Sequence, residues 1–115
     1  MRAGALMDPD VLAVPDDLTM GDAHALVARV DHLHSYYVYV VNRDQRLVGM
    51  LDLWDLMLTP TTRVGEVMRS QVPRIAASSG RGVLMAHPGW ADVHALAVVD
   101  GAGRLVGAIR HRRAW

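Results

Sequence analysis

The 115-residue chain contains no cysteine, no phenylalanine and no lysine. Without cysteine there is no disulfide framework, no thiolate metal site and no Cys nucleophile. Without lysine, all 12 positive charges are arginine, and they balance 12 acidic residues to a net charge of zero. That balance leaves no global field to attract nucleic acid or an anionic membrane. Long hydrophobic runs are missing too. Stretches such as Tyr36 to Val41 and Leu47 to Leu51 fall far below the roughly 20 residues of a membrane helix. The start, Met1-Arg2-Ala3-Gly4, lacks the apolar core of a signal peptide. A cytoplasmic chain without direct membrane insertion is expected. Catalytic signatures are also lacking: there is no Ser-His-Asp order, paired-carboxylate site or zinc motif. Ser78-Ser79-Gly80-Arg81-Gly82 has neither the Lys nor the spacing of a phosphate loop. The expectation is a non-catalytic module.

What the chain does have is an internal repeat. Arg2-Ala3-Gly4-Ala5-Leu6-Met7 returns 61 positions later as Arg63-Val64-Gly65-Glu66-Val67-Met68. Val40-Val41-Asn42 with Arg46-Leu47-Val48-Gly49 returns 58 positions later as Val98-Val99-Asp100 with Arg104-Leu105-Val106-Gly107. Two ordered matches at nearly one offset define an architecture of two copies. Each copy is too short for a strong independent core, so the two are expected to pair. The boundaries read as residues 1–58 for the first copy, 59–62 for a linker and 63–115 for the second, whose last helix is cut short.

Within the first copy, Val11 to Val14 reads as a short strand closed by Pro15-Asp16-Asp17. Met20, Ala23, Leu26, Val27 and Val30 recur at three- and four-residue steps, the stripe of an amphipathic helix, with Asp17 or Thr19 as its cap. Tyr36 to Val41 is dense in aromatic and β-branched residues, the composition of a strand. Asn42 to Arg46 makes a hairpin connection to a strand over Leu47 to Leu51, and Asp52 caps a helix running through Leu58. The second copy gives a helical turn at Val64 to Met68, a strand at Pro73 to Ala76 and a helix at Val83 to His87 capped by Ser78 or Ser79. Strands follow at His94 to Asp100 and Arg104 to Ile109, and a final helix begins at Arg110. The fold class is α/β (α+β), two β-α-β-β-α repeats packed as a pseudo-two-fold pair.

These segments together resemble the cystathionine-β-synthase (CBS) domain, and two in tandem resemble a Bateman module. Ser35 to Val41, Arg46-Leu47-Val48-Gly49 and Thr62 to Met68 look most like the cytosolic CBS pair of MgtE-type magnesium transporters. The resemblance implies a regulatory module responding to Mg²⁺ or to ATP, AMP or ADP, with an attached or associated membrane transporter domain as partner. The alternative is a dimerisation scaffold with degenerate pockets.

In such domains a hydroxyl and a helix start meet phosphate, and an Asp takes ribose hydroxyls. The resemblance therefore implies nucleotide contacts from Val11, Tyr39, Gly49, Asp52, Asp55, Arg110 and Arg113. The first copy, Gly49-Met50-Leu51-Asp52-Leu53-Trp54-Asp55, keeps the ribose-type carboxylate at Asp55 but places Asp52 where the hydroxyl belongs. A carboxylate there repels phosphate unless a cation lies between them. The second copy places Arg110 and Arg113 at the two positions, losing ribose recognition and gaining attraction for anions. Asp52, Asp8 and Asp10 are the candidate Mg²⁺ ligands, because oxygen donors suit that ion. Apolar surface around Leu53, Trp54, Leu56 and Trp115 predicts a homodimer.

Overall fold

The computed structural model describes residues 1–29, 37–52, 55 and 60–111. Among these residues, four helices and six strands follow in the order α1 (Ala3–Leu6), β1 (Ala13–Pro15), α2 (Met20–Ala28), β2 (Tyr37–Val41), β3 (Leu47–Asp52), α3 (Val64–Val67), β4 (Arg74–Ala76), α4 (Arg81–Met85), β5 (Ala95–Val99) and β6 (Leu105–Arg110), with a 3-10 turn at Pro88–Ala91 before β5. The strands make two three-stranded sheets, β1-β2-β3 and β4-β5-β6. In each sheet the first pair is parallel and the second antiparallel. The mixed α+β class expected from the repeat is the observed one.

Three of the five expected stripe residues of α2 face the core, and a fourth, Val30, lies outside the described residues. Met20, Ala23 and Val27 are buried, while Leu26 is 41% exposed at the margin of the stripe. Thr19, not Asp17, is the cap: its hydroxyl accepts a hydrogen bond from the Asp22 N–H at 3.2 Å. Val38 and Val40 of β2 and Leu51 of β3 join Val14, Val64 and the α2 residues in one apolar cluster. Burying a side chain of this size contributes about 1.5–3 kcal/mol relative to exposure.

The two hairpins are closed by the same device. The Asn42 side-chain oxygen accepts from the N–H groups of Asp44 and Arg46. Asp100, 58 positions on, accepts from Ala102 and Arg104 and adds an ion pair to the Arg104 guanidinium at 2.8 Å. Turns of this kind exploit the short polar side chain's reach to its own backbone.

The compact units of the structure are cut differently from the repeats. One contains Met1–Val11 with Pro73–Trp115, and the other contains Leu12–Val72. The opening turn of each repeat docks on the sheet of the other. Ala3 and Gly4 donate to the carbonyls of Ser79 and Ala77, and Asp8 bridges to Ala108 of β6. Correspondingly, Val64 and Gly65 donate to Leu18 and Asp16, and Arg69 bridges to Met50 of β3. Each α1-type turn has too few residues to bury a face alone, so its stability comes from the sheet it reaches.

Three expected details change. α4 is capped by Gly80 without a side-chain hydrogen bond, so neither Ser78 nor Ser79 is the cap. The Ser79 backbone is instead occupied, its carbonyl accepting from Ala3. The second is that α4 spans Arg81–Met85 rather than Val83 to His87, because Pro88 follows closely. Thirdly, Arg110 is the last residue of β6 rather than the start of a helix, since its backbone stays in register with Ala95. The helix expected from Asp52 through Leu58 lies, apart from Asp52 and Asp55, outside the described residues, as do Tyr36, Leu53, Trp54, Leu56, Arg113 and Trp115.

Candidate functional site

The Leu12–Val72 unit carries the best-formed cluster of polar groups. Strand β3 ends at Asp52, directly opposite Tyr37 of β2. The Asp55 carboxylate turns back and accepts a hydrogen bond from the Asp52 N–H through Oδ2 at 2.9 Å. A carboxylate three residues on thus satisfies the backbone donor at the end of the strand. It leaves Oδ1 of Asp55 for another partner. Asp52 itself pairs with Arg69, whose Nη2 donates to Oδ2 at 2.6 Å. The side chains are 30% and 63% exposed, respectively, so the pair contributes only about 0–1 kcal/mol. Its importance is chemical: an anion approaching Asp52 meets a compensated carboxylate rather than a bare one.

Arg69 arrives there because its backbone forms a two-bond bridge with Met50, N to O at 3.0 and 2.9 Å. Met68 precedes it and lies on Gly49. A Cβ at Gly49 would collide with the Met68 thioether and stand 3.0 Å from the Arg69 carbonyl oxygen. Gly107 is covered in the same way, by Met7 and by the Asp8 carbonyl. The glycine of both Arg-Leu-Val-Gly segments thus admits a crossing chain. Gly49 holds the arm that delivers Arg69, a relationship the linear sequence hides, because only the two methionine-ending hexapeptides signal it.

Tyr39 stands opposite Met50 on β2, on the sheet face away from the apolar cluster. It is 1% exposed, and its hydroxyl is buried with no hydrogen-bond partner among the described residues. Burial first, and the neighbouring Tyr37 second, push its pKa well above the ordinary value, so the phenol remains protonated. Val11 is half-buried at the end of the other unit's opening segment, its N–H bonded to the Pro9 carbonyl.

In the other unit, Arg110 ends β6 exposed and opposite Ala95. Asp8 and Asp10 form a local turn, the Asp8 carboxylate accepting from the Asp10 N–H at 2.9 Å. They belong to one compact unit and Asp52 to the other. Among the described residues, no group of three or more His, Asp or Glu side chains is placed to hold a metal ion. Sequence reasoning gave no role to His87, yet its ring organises the 3-10 turn. Nδ1 accepts from the Gly89 N–H at 2.9 Å, so Nε2 carries the proton and donates to the Arg74 carbonyl at 2.8 Å. Trp90 donates from Nε1 to the Leu84 carbonyl and meets the His111 ring edge-on at 5.1 Å. No helix among the described residues is long and apolar enough to cross a membrane.

A sheet of one parallel and one antiparallel pair, repeated after a shift near 60 residues and laced by the opening turn of the other copy, defines a tandem module. The CBS domain model matches residues 3–62, and the chain belongs to the CBS domain family. Among characterised proteins it is similar to the magnesium transporter MgtE of Thermus thermophilus, with 36% identity over 111 residues, 94% of this chain and 25% of the transporter. The chain thus spans about a quarter of that relative. Of solved structures, the cytosolic domain of the Mg²⁺ channel MgtE in complex with ATP matches with a TM-score of 0.85 and 32% identity, over 97% of this chain and 46% of that one. The soluble part of a magnesium transporter matches with a TM-score of 0.86 and 24% identity, over 98% and 45%. The latter likeness concerns the fold alone.

Proposed function

We propose that this chain is a non-catalytic regulatory CBS pair that binds an adenosine nucleotide through its Leu12–Val72 unit and acts on a magnesium transporter domain, attached or associated, from the cytosolic side. The observation that carries the reading is the Asp55 carboxylate. It sits just past the end of β3, anchored by one oxygen to the Asp52 N–H, which leaves the other for a ribose hydroxyl. A relative 32% identical was solved with ATP, which supports the same ligand class here. The Asp52–Arg69 pair removes the repulsion a lone carboxylate would exert on phosphate. Arg110 and Arg113 of the second copy offer anion contacts but no ribose carboxylate, so the first copy is the principal site.

Mg²⁺ enters as a second ligand at the Asp52 carboxylate. If it bridges Asp52 and phosphate, metal and nucleotide tighten each other by the same factor. A regulatory role requires that the ligand bind one arrangement of the module better than another, and a homodimer is the assembly in which such a difference reaches a partner. The residues on which that dimer is expected, Leu53, Trp54, Leu56 and Trp115, lie outside the described residues.

The test is thermal unfolding with ATP, ADP, AMP and Mg²⁺, alone and combined. A ligand with a site raises the midpoint by mass action, and Asp55→Ala is expected to abolish the nucleotide shift. Equal shifts in wild type and Asp55→Ala would remove the first-copy site. A monomer in sedimentation at high micromolar concentration would remove the dimer.

A further inference from the structure

The two opening arms end in opposite charges, and so do the strands they reach. Each arm continues past its methionine into a charged residue, Asp8 after Met7 and Arg69 after Met68. Asp8 pairs antiparallel with Ala108, and Arg69 with Met50, each by two backbone hydrogen bonds of 2.8 to 3.0 Å. Two residues further along each strand stands a second charge, Arg110 on β6 and Asp52 on β3. Residues directly opposite on neighbouring strands, and residues two apart on one strand, share a face. In the Leu12–Val72 unit this register brings the Arg69 guanidinium to Asp52 at 2.6 Å. In the unit of Met1–Val11 and Pro73–Trp115 the same register makes Asp8 the diagonal neighbour of Arg110. One Asp8 oxygen accepts from the Asp10 N–H, and a carboxylate has a second to offer. The two docking sites share a register and are inverted in charge.

We propose that these four charges select the sheet on which each arm docks. Asp8 is accepted beside Arg110 and Arg69 beside Asp52, whereas exchanged docking sets Asp8 against Asp52 and Arg69 against Arg110. The arms' other features do not discriminate, since both read Arg-x-Gly-x-x-Met and both receiving strands read Arg-Leu-Val-Gly. Exchange turns two attractions into two repulsions, and such penalties on the wrong pairing are a general source of specificity. Each exposed contact is worth little by itself. Four of them together correspond to a preference of about ten- to a hundredfold. Asp52 thereby has a role in assembling the fold that stands whether or not a nucleotide binds.

Amide exchange of the full chain reads both sites, because the Ala108 N–H donates to the Asp8 carbonyl and the Met50 N–H to that of Arg69. At low salt, Asp8→Arg and Arg110→Asp are each expected to speed exchange at Ala108 by about three- to tenfold, with Met50 unaffected. The double variant, Asp8→Arg with Arg110→Asp, should return Ala108 to the wild-type rate. Effects of the two reversals that simply add would overturn the proposal. Exchanging the arm charges alone, Asp8→Arg with Arg69→Asp, should weaken the nuclear Overhauser contacts of Met7 with Gly107 and of Met68 with Gly49. Adding Asp52→Arg and Arg110→Asp should restore them. Arms that keep their native contacts with exchanged charges, or that do not recover them in the fourfold variant, are not selected by charge. Wild type alone gives a further check that no unfolded variant can spoil. Raising ionic strength from about 0.01 to 1 M shortens the screening length from about 30 to 3 Å. Exchange at Ala108 and Met50 should then accelerate relative to the amides of β2 and β5, and rates that keep step with those amides count against the proposal.

Discussion

The Met7 thioether lies over Gly107, with its sulfur 2.7 Å from the point a Cβ would occupy there. Met68 covers Gly49 in the same manner. In both places an opening turn from one sequence repeat is stacked on a strand of the other, and the glycine makes the approach possible.

Replacing either glycine by alanine should destabilise the protein, by about 1–3 kcal/mol, the usual cost of overpacking a close contact. Gly107→Ala is expected to be the worse of the two. Its Cβ would stand 2.8 Å from the Asp8 carbonyl oxygen, whereas the nearest backbone atom at Gly49 is 3.0 Å away and the closer obstacle is a flexible thioether. Met68→Ala should therefore rescue part of Gly49→Ala, a coupling that a double-mutant cycle in urea measures. Strict additivity would show that the methionine is not what resists.

Removal of residues 1–11 should damage the second repeat more than the first. The Asp8 and Ala108 backbones exchange two hydrogen bonds, at 2.8 and 3.0 Å, and Ala3 is fully buried. Amide exchange is the measurement: the N–H of Ala108 should lose protection, while those of β2 and β3 keep theirs. Uniform loss across both sheets would contradict the assignment of this arm to the Pro73–Trp115 unit.

Asp55 serves two ends that substitution can separate. Asp55→Asn keeps an oxygen for the Asp52 N–H but loses the charge. Asp55→Ala loses both, at a cost of about 1 kcal/mol for the hydrogen bond. Nucleotide affinity is expected to drop in both variants, and chemical denaturation should separate them in stability. An Asp55→Asn protein with wild-type affinity would show that ribose recognition needs no carboxylate here.

Asp100 gives a pH signature. Hydrogen bonds to its carboxylate, first from the Arg104 N–H and also from Ala102 and the Arg104 side chain, hold its pKa below the usual value, against a smaller opposing effect of desolvation. A folded pKa lower than the unfolded one means stability that is fully present above the unfolded value and is lost as pH falls through the folded one. The loss belongs below about pH 4. Asp100→Asn, which copies Asn42 of the first hairpin, should keep the turn and flatten this part of the stability profile. An unchanged acid limb would assign the pH dependence to other carboxylates.

Much of the site was legible in the residues. Tyr36 to Val41 reads as a strand from composition, and β2 occupies Tyr37–Val41. The pairing of Asp52 with Asp55 three residues on was legible as a local polar contact, and the Asp55 carboxylate does accept from the Asp52 N–H. Arg69 was not legible as the partner of Asp52. They are 17 positions apart, on segments whose meeting depends on Gly49 admitting Met68. His87 was equally silent, because its role depends on the Gly89 N–H and the Arg74 carbonyl converging on one ring.

The sequence by itself determined the doubled architecture, the strand order within each copy and the membership of the family. These follow from local periodicity, turn chemistry and a repeat that any reader of the chain can align. Only the tertiary structure decided which sheet each opening turn joins, which arginine neutralises Asp52 and that the Tyr39 hydroxyl is buried without a partner among the described residues. The two opening turns carry the same Arg-x-Gly-x-x-Met pattern, and both glycine-bearing strands the same Arg-Leu-Val-Gly. The choice between them depends on contacts between distant parts of the chain, and local sequence does not encode those.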